Sequence, residues 1–161
     1  MNVIDVIKSR RTIKSYKSDP ISEEQLMVWL EAASYAPNHK MHEPWEILII
    51  GPETRAKINH KIDFGGAPLV MAVLSKVGAN AVERDENIMA TACFIQNFML
   101  AAQEEGVGTF WCSVGASPIN RKHMGVSEEY EVVGVIAVGY PQEIPAPKER
   151  ASIASKIKYL A

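Results

Sequence analysis

Side chains able to do chemistry gather in four stretches of this 161-residue chain. Arg10-Arg-Thr-Ile-Lys14 sets three cations and a hydroxyl within five residues, at the end of a segment with helical spacing. Phosphate suits such a set, because guanidinium forks donate to its oxygens in pairs and a hydroxyl adds a further bond. The same cations would equally complement the negative end of a helix dipole. Ala36-Pro-Asn-His-Lys-Met-His-Glu-Pro-Trp45 holds two prolines, an asparagine and two histidines, the makings of a rigid loop rich in hydrogen-bonding groups. Its histidines, His39 and His42, have no third soft ligand beside them; His60 and His123 stand alone in polar segments and read as solvated, so no metal site is expected. Trp111-Cys-Ser-Val-Gly115 follows a strand-like run, where small residues let backbone N–H groups approach a ligand closely. Cys112 has no histidine or cation beside it in sequence to lower its pKa, so a buried structural thiol is expected there rather than a nucleophile. Lys148-Glu-Arg150 is ordinary surface charge unless folding carries it to Arg10.

The elements that must position these stretches are legible from spacing and punctuation. Asn2 can cap a helix through about Arg10 with Val3, Ile4, Val6 and Ile7 on its apolar face. Ser22-x-x-Gln25 has the form of a capping box and opens a helix striped by Leu26, Trp29, Leu30 and Ala33, which Pro37 closes. Trp45 to Ile50 has strand length, Gly51-Pro52 stops it, and a short helix is expected from about Glu53. Pro68 to Ser75 reads as a strand apolar enough to be covered on both faces. From about Asp85 to Glu105, Ile88, Met89, Ala92, Ile95, Phe98, Met99 and Ala102 recur at helical spacing before Gly106, so a central helix buried on more than one side is expected. A strand over 108–114, a short helix over 118–124 and a strand over 130–139 complete the series. Helices interleaved with strands imply an α/β or α+β sandwich with helices on a central sheet.

Composition narrows the classes. Seventeen basic residues against nineteen acidic ones give a net charge of −2, with 47% of residues hydrophobic and 22% charged. That balance excludes a disordered tail and a binder of nucleic acid driven by a general positive field. The longest apolar run, around Leu69 to Leu74, is far short of the roughly 20 residues a membrane span needs. The N-terminal segment places its basic residues after its apolar ones, unlike a secretory signal, and the two cysteines, Cys93 and Cys112, read as reduced buried thiols. A cytoplasmic protein is therefore expected. Without repeat or linker, residues 1–161 are expected to form one domain.

Taken in order, Arg10-Arg-Thr-x-Lys14, Ala36-Pro-Asn-His-Lys-x-x-Glu-Pro-Trp45, Leu100-Ala-Ala-Gln-Glu-Glu-Gly-Val-Gly108, Val138-Gly-Tyr-Pro141 and Lys148-x-Arg150 resemble the nitroreductase family of FMN-dependent oxidoreductases, most closely its short members. The match extends over essentially the whole chain. It implies an α+β fold with a central, mainly antiparallel sheet flanked by helices, assembled as a two-fold homodimer with FMN at the subunit interface. It also implies residue roles. Arg10 would hold the phosphate with Lys148 and Arg150, Arg11 belongs to the same motif, Thr12 would reach the phosphate or ribityl chain, and Lys14 the N1/O2 edge of the ring. Pro37, Asn38, His39 and Glu43 match positions that reach the flavin from the partner subunit. Trp111, Cys112 and Ser113 match backbone beside flavin N5 and O4.

The residue chemistry agrees with those roles. A dianionic phosphate needs two or three cations, and a cation near N1 favours the reduced ring. Chemistry carried by the cofactor needs no protein nucleophile, in keeping with the lack of any Ser-His-Asp or Cys-His pattern. Two departures stand out. Glu43 replaces the family's usual Gln, and an ionised carboxylate cannot donate a hydrogen bond to a flavin oxygen. The long helical excursion that many members fold over the site is absent, so substrate preference does not carry over from larger relatives. The expected activity is electron transfer from NAD(P)H to a small acceptor such as a nitroaromatic or quinone by a ping-pong cycle. The alternatives are a flavin-binding or flavin-sensing protein with little turnover, and an anion-binding interaction domain built on Arg10 and Arg11.

Overall fold

In the computed structural model, which describes residues 2–160, the apolar run expected to be covered on both faces becomes β2 (Leu69–Lys76). Its side chains divide by the two-residue strand period. Met71 and Val73 enter one core, Val70, Ala72 and Leu74 the other. β4 (Tyr130–Gly139) divides in the same way, with Ile136 and Val138 on one side and Val135 and Ala137 on the other. These are the inner strands of a four-stranded sheet ordered β1-β2-β4-β3, flanked by β1 (Trp45–Ile49) and β3 (Gly108–Cys112), with every neighbouring pair antiparallel. This is the α+β architecture with an antiparallel sheet that the family resemblance implied.

Helices cover the first face. α2 (Glu23–Ser34) packs on α4 (Ala81–Glu104) through Trp29 and Phe98, whose rings meet edge-to-face at 6.1 Å. Phe94 of α4 stacks on Trp45 of β1 at 5.0 Å, which ties the helix to the sheet edge. Trp29 is 1% exposed. Aromatic burial of this kind supplies several kcal/mol per ring, roughly 3–5 when the ring is truncated. The second face is closed by Ile13 and Tyr16 from the N-terminal segment, Ile58 from α3 (Pro52–Ile58) and Phe64 from the loop before β2. α1 (Val3–Ser9) and α5 (Pro118–His123) complete the elements that bear on the site.

Several boundaries differ from those expected, each for a local reason. α4 begins at Ala81 rather than Asp85, because Asn80 Oδ1 accepts from the amides of Val82 and Glu83 and adds a turn at the N-terminus. Only half of the expected capping box forms at α2. Ser22 Oγ accepts from the Gln25 amide at 3.1 Å, but the Gln25 side chain turns instead to Glu105 and the Tyr140 hydroxyl. β3 stops at Cys112, and residues 114–116 form a 3-10 turn.

Burial corrects three further expectations. Within the chain α4 is covered on one side, leaving Met89 60% exposed and Cys93 exposed rather than buried. Of the apolar residues of α1, Val6 alone is buried, while Val3, Ile4 and Ile7 face outward. His60 is not a free surface histidine. Its Nδ1 accepts from the Phe64 amide at 3.1 Å and its ring stacks on Phe64 at 4.4 Å, while His123 is half-buried.

Candidate functional site

The Arg10-to-Lys14 segment leaves α1 and runs beside β3. Thr12 bridges Thr109 in parallel, and the Ile13 amide donates to the Thr109 carbonyl at 3.0 Å. The segment is pinned again where the Tyr16 amide donates to Gly65. Gly65, at φ +69°, brings its backbone against the Lys14 carbonyl, where a Cβ would collide. This register makes the Arg10 motif and the Trp111-to-Ser113 segment neighbours, one alongside β3 and the other at its end.

The two arginines then take different parts. Arg11 turns back, donating to the carbonyls of Lys8 at 2.8 Å and Arg10 at 3.0 Å, and so caps the end of α1 as the helix-dipole reading anticipated. Its Nε is buried without a partner. Arg10 donates to the Arg11 carbonyl, is partly buried, and has its pKa lowered by desolvation first and then by the like charges of Arg11 and Arg150. Folding therefore does carry Arg150 to Arg10. Lys148 lies two residues away on the same exposed C-terminal segment. Among the described residues, neither arginine of the motif pairs with a carboxylate, and neither does Lys14, Lys148 or Arg150. The Lys14 ammonium stands 5.9 Å from the centre of the Phe110 ring, a cation–π distance.

At the far end of β3, the Trp111 indole lies over Gly134 in the space a Cβ would fill, and its Nε1 donates to the Val133 carbonyl at 3.3 Å. The pairing of β2 with β4 skips Val133, and this bulge frees the carbonyl that holds the indole. Cys112 is half-buried with its thiol pKa raised by desolvation, which suits the structural role expected of it. Ser113 is exposed just beyond.

The third group, Pro37 to Glu43, is organised by α4. Asn38 donates to the Ala36 carbonyl, and its Oδ1 accepts from the Glu43 amide at 2.9 Å, folding the loop on itself. His39 and His42 approach Glu86 and Glu83 of α4 at 4.0 and 3.8 Å. Glu83 escaped the sequence reading because that reading began the helix at Asp85; Asn80, three residues before Glu83, was the available signal. Among the described residues, no hydrogen bond or ion pair joins Asn38, His39 or Glu43 to the Arg10 segment of the same chain. An open depression of about 610 Å³ lies elsewhere, around Arg55, His60 and Asp63. Arg55 is spent there on Asp63 at 2.7 Å and on the Ala67 carbonyl. No cluster of three or more metal-ligating side chains occurs among the described residues, and none of their helices is long and apolar enough to cross a membrane.

The profile of the Nitroreductase family matches residues 7–63 and 60–140. The chain belongs to that family. A provisionally named NAD(P)H nitroreductase of Bacillus subtilis, YfhC, is 30% identical over 176 aligned positions, covering 94% of this chain and 91% of that protein. Among solved structures, a nitroreductase-like family protein from Bacillus cereus superposes with a TM-score of 0.90 at 27% identity, covering 99% of this chain and 96% of that one. A provisionally named nitroreductase from Exiguobacterium sibiricum, solved in complex with FMN, superposes with a TM-score of 0.87 at 19% identity over 99% and 98% of the two chains, which shows a shared fold. In this chain the two groups of candidate residues flanking β3 are thus adjacent, and the Pro37-to-Glu43 loop stands apart on α4.

Proposed function

We propose that this member of the Nitroreductase family is an FMN-dependent oxidoreductase which takes electrons from NAD(P)H and passes them to a small acceptor, such as a nitroaromatic or quinone, by a ping-pong cycle. The observation that carries the reading is Arg10, partly buried, close enough to Arg11 and Arg150 to feel their like charges, and paired with no carboxylate among the described residues. Such a cluster is at ease only with an anion, and a phosphate monoester supplies the charge and the acceptor oxygens it lacks. The donor set therefore fits FMN. The FMN complex of the Exiguobacterium relative and the NAD(P)H in the name of the Bacillus one support the same cofactors.

In this reading Arg10, Lys148 and Arg150 hold the phosphate, while Arg11 fixes the end of α1 from which Arg10 reaches. Thr12 donates to the phosphate or ribityl chain. Lys14 sits at the N1/O2 edge, where its charge offsets the negative charge of the reduced ring. Backbone of Trp111, Cys112 and Ser113 borders N5 and O4. The flavin supplies the hydride chemistry. Pro37, Asn38, His39 and Glu43 come from the second subunit of a homodimer. A partner is also suited to the outward apolar residues Val3, Ile4, Ile7, Val82 and Met89 and to the C-terminal segment 142–160, exposed throughout. One domain over 1–161 and a cytoplasmic address belong to the same proposal.

Absorbance of the purified protein tests it. Bound flavin that bleaches rapidly with NADH or NADPH and recovers with a quinone is the expected result. Flavin that binds but bleaches slowly would favour a flavin-holding protein, a reading to which the exposed Glu43 carboxylate, in place of an amide, lends weight. A colourless protein that ignores added FMN would leave an anion-binding domain.

A further inference from the structure

Before β2, four residues in succession enter the left-handed region: Asp63, Phe64, Gly65 and Gly66 have φ of 43°, 53°, 69° and 72°. L-residues visit that region singly, and a bulky side chain there is an outlier. Phe64 is nevertheless fully buried. Such a conformation persists where its surroundings over-determine it.

Two residues supply the restraint. Arg55, on α3, spans the turn. Its Nε donates to Asp63 Oδ1 at 2.7 Å, its Nη2 to the Asp63 carbonyl at 2.6 Å and its Nη1 to the Ala67 carbonyl at 2.6 Å. A rigid guanidinium fork meets all three acceptors at once, which an ammonium does not. His60 holds the middle, its Nδ1 accepting from the Phe64 amide at 3.1 Å and its ring stacking on Phe64 at 4.4 Å. The Arg55 guanidinium lies 5.6 Å from the centre of the same Phe64 ring, so both residues hold it.

The turn and its supports bear on Lys14 in two places. Gly65 presses its backbone on the Lys14 carbonyl, leaving no room for a Cβ, and its own carbonyl accepts from the Tyr16 amide at 3.1 Å. The main chain of Lys14 is thereby fixed between this turn and β3, where the Ile13 amide donates to Thr109. At the far end of the side chain, the Lys14 ammonium stands 5.9 Å from the centre of the Phe110 ring, and the His60 ring meets that ring edge-on at 5.8 Å.

We propose that Arg55 and His60 are positioning residues for Lys14: they hold the turn at 63–66, and the turn fixes where Lys14 presents its ammonium to the N1/O2 edge of the flavin. This rests on the reading above that Lys14 meets that edge. An ammonium fixed there offsets the negative charge of the reduced ring, and one free to swing into solvent offsets it less. Loosening the turn therefore lowers the midpoint potential of bound FMN while the lysine itself remains.

Midpoint potentials of the FMN-loaded protein test the positioning, and hydrogen exchange of the flavin-free full chain tests the grip by itself. Lys14→Gln sets the scale, with a loss of about tenfold in the preference for the reduced ring, equivalent to about 30 mV for a two-electron couple. Arg55→Lys keeps the charge but not the fork and should lose roughly three- to tenfold of that preference. His60→Gln should act in the same direction. Both effects should vanish in the Lys14→Gln background, as for residues that act through a third. Without flavin, the Tyr16 amide should exchange roughly tenfold faster in Arg55→Lys than in the wild type. Unchanged exchange would overturn the grip. Wild-type potentials in Arg55→Lys and His60→Gln, or effects that persist in full beside Lys14→Gln, would overturn the positioning. A Lys14→Gln protein with the wild-type potential would overturn the placement of Lys14 and the positioning with it, leaving the phosphate site at Arg10 to its own test.

Discussion

Arg10 and Arg150, from opposite ends of the chain, stand within reach of each other's charge: desolvation, then Arg11, then Arg150 hold the Arg10 guanidinium below the usual arginine pKa. In the function proposed above, the phosphate of FMN meets these gathered like charges. Arg10→Ala is expected to weaken FMN roughly ten- to a hundredfold, as for the loss of one charge-assisted contact, and to leave riboflavin nearly unaffected. Fluorescence titration with both flavins checks this. Equal losses for both would show that Arg10 does not meet the phosphate.

Trp111 and Gly134 form a second such pair. The indole occupies the space that a side chain at 134 would need, and Val133, freed by the bulge, holds its Nε1. Gly134→Ala should displace the ring and destabilise the fold by about 1–3 kcal/mol, the usual cost of overpacking. Denaturant unfolding followed by tryptophan emission measures both effects; unchanged stability and emission would show that the indole moves freely.

His60 predicts a pH dependence of stability. Desolvation lowers its pKa first, with Asp63 raising and Arg55 lowering it, and Nδ1 must be neutral to accept from the Phe64 amide. A histidine depressed in the folded state contributes stability that is full above its unfolded pKa and is lost as pH falls through the folded value. Replacing His60 by Gln should therefore flatten the fall in Tm between about pH 7 and 5, while lowering Tm at neutral pH through the lost stacking on Phe64. A variant whose Tm falls with pH as steeply as the wild type would exclude His60 as the source.

Mixed dimers test whether the site is shared. The loop bearing His39 is docked on α4 and unbonded to the Arg10 segment of its own chain. If each flavin takes Arg10 from one subunit and His39 from the other, a heterodimer of Arg10→Ala and His39→Ala subunits collects both lesions in one site and leaves the other native. Provided each change impairs binding in its homodimer, the separated heterodimer should regain about one flavin per dimer. No recovery would place both residues in the same subunit's site.

The sequence alone determined the parts whose causes are local. An apolar run specified β2, helical spacing specified α2 and the body of α4, and the cations of Arg10 to Lys14 offered a phosphate site and a helix cap alike. Tertiary structure decided what depends on distance across the chain. It separated Arg11, spent on capping α1, from Arg10, left facing Arg150, although the two are adjacent and identical in type. It set His60 on Phe64 where polar neighbours suggested a solvated residue, and it exposed Met89 and Cys93, because helical periodicity fixes which residues share a face but not whether a second element covers it. The pairing of His39 and His42 with Glu83 and Glu86 was likewise invisible, since two spacings of three become one ladder only when a loop and a helix more than forty residues apart are brought side by side.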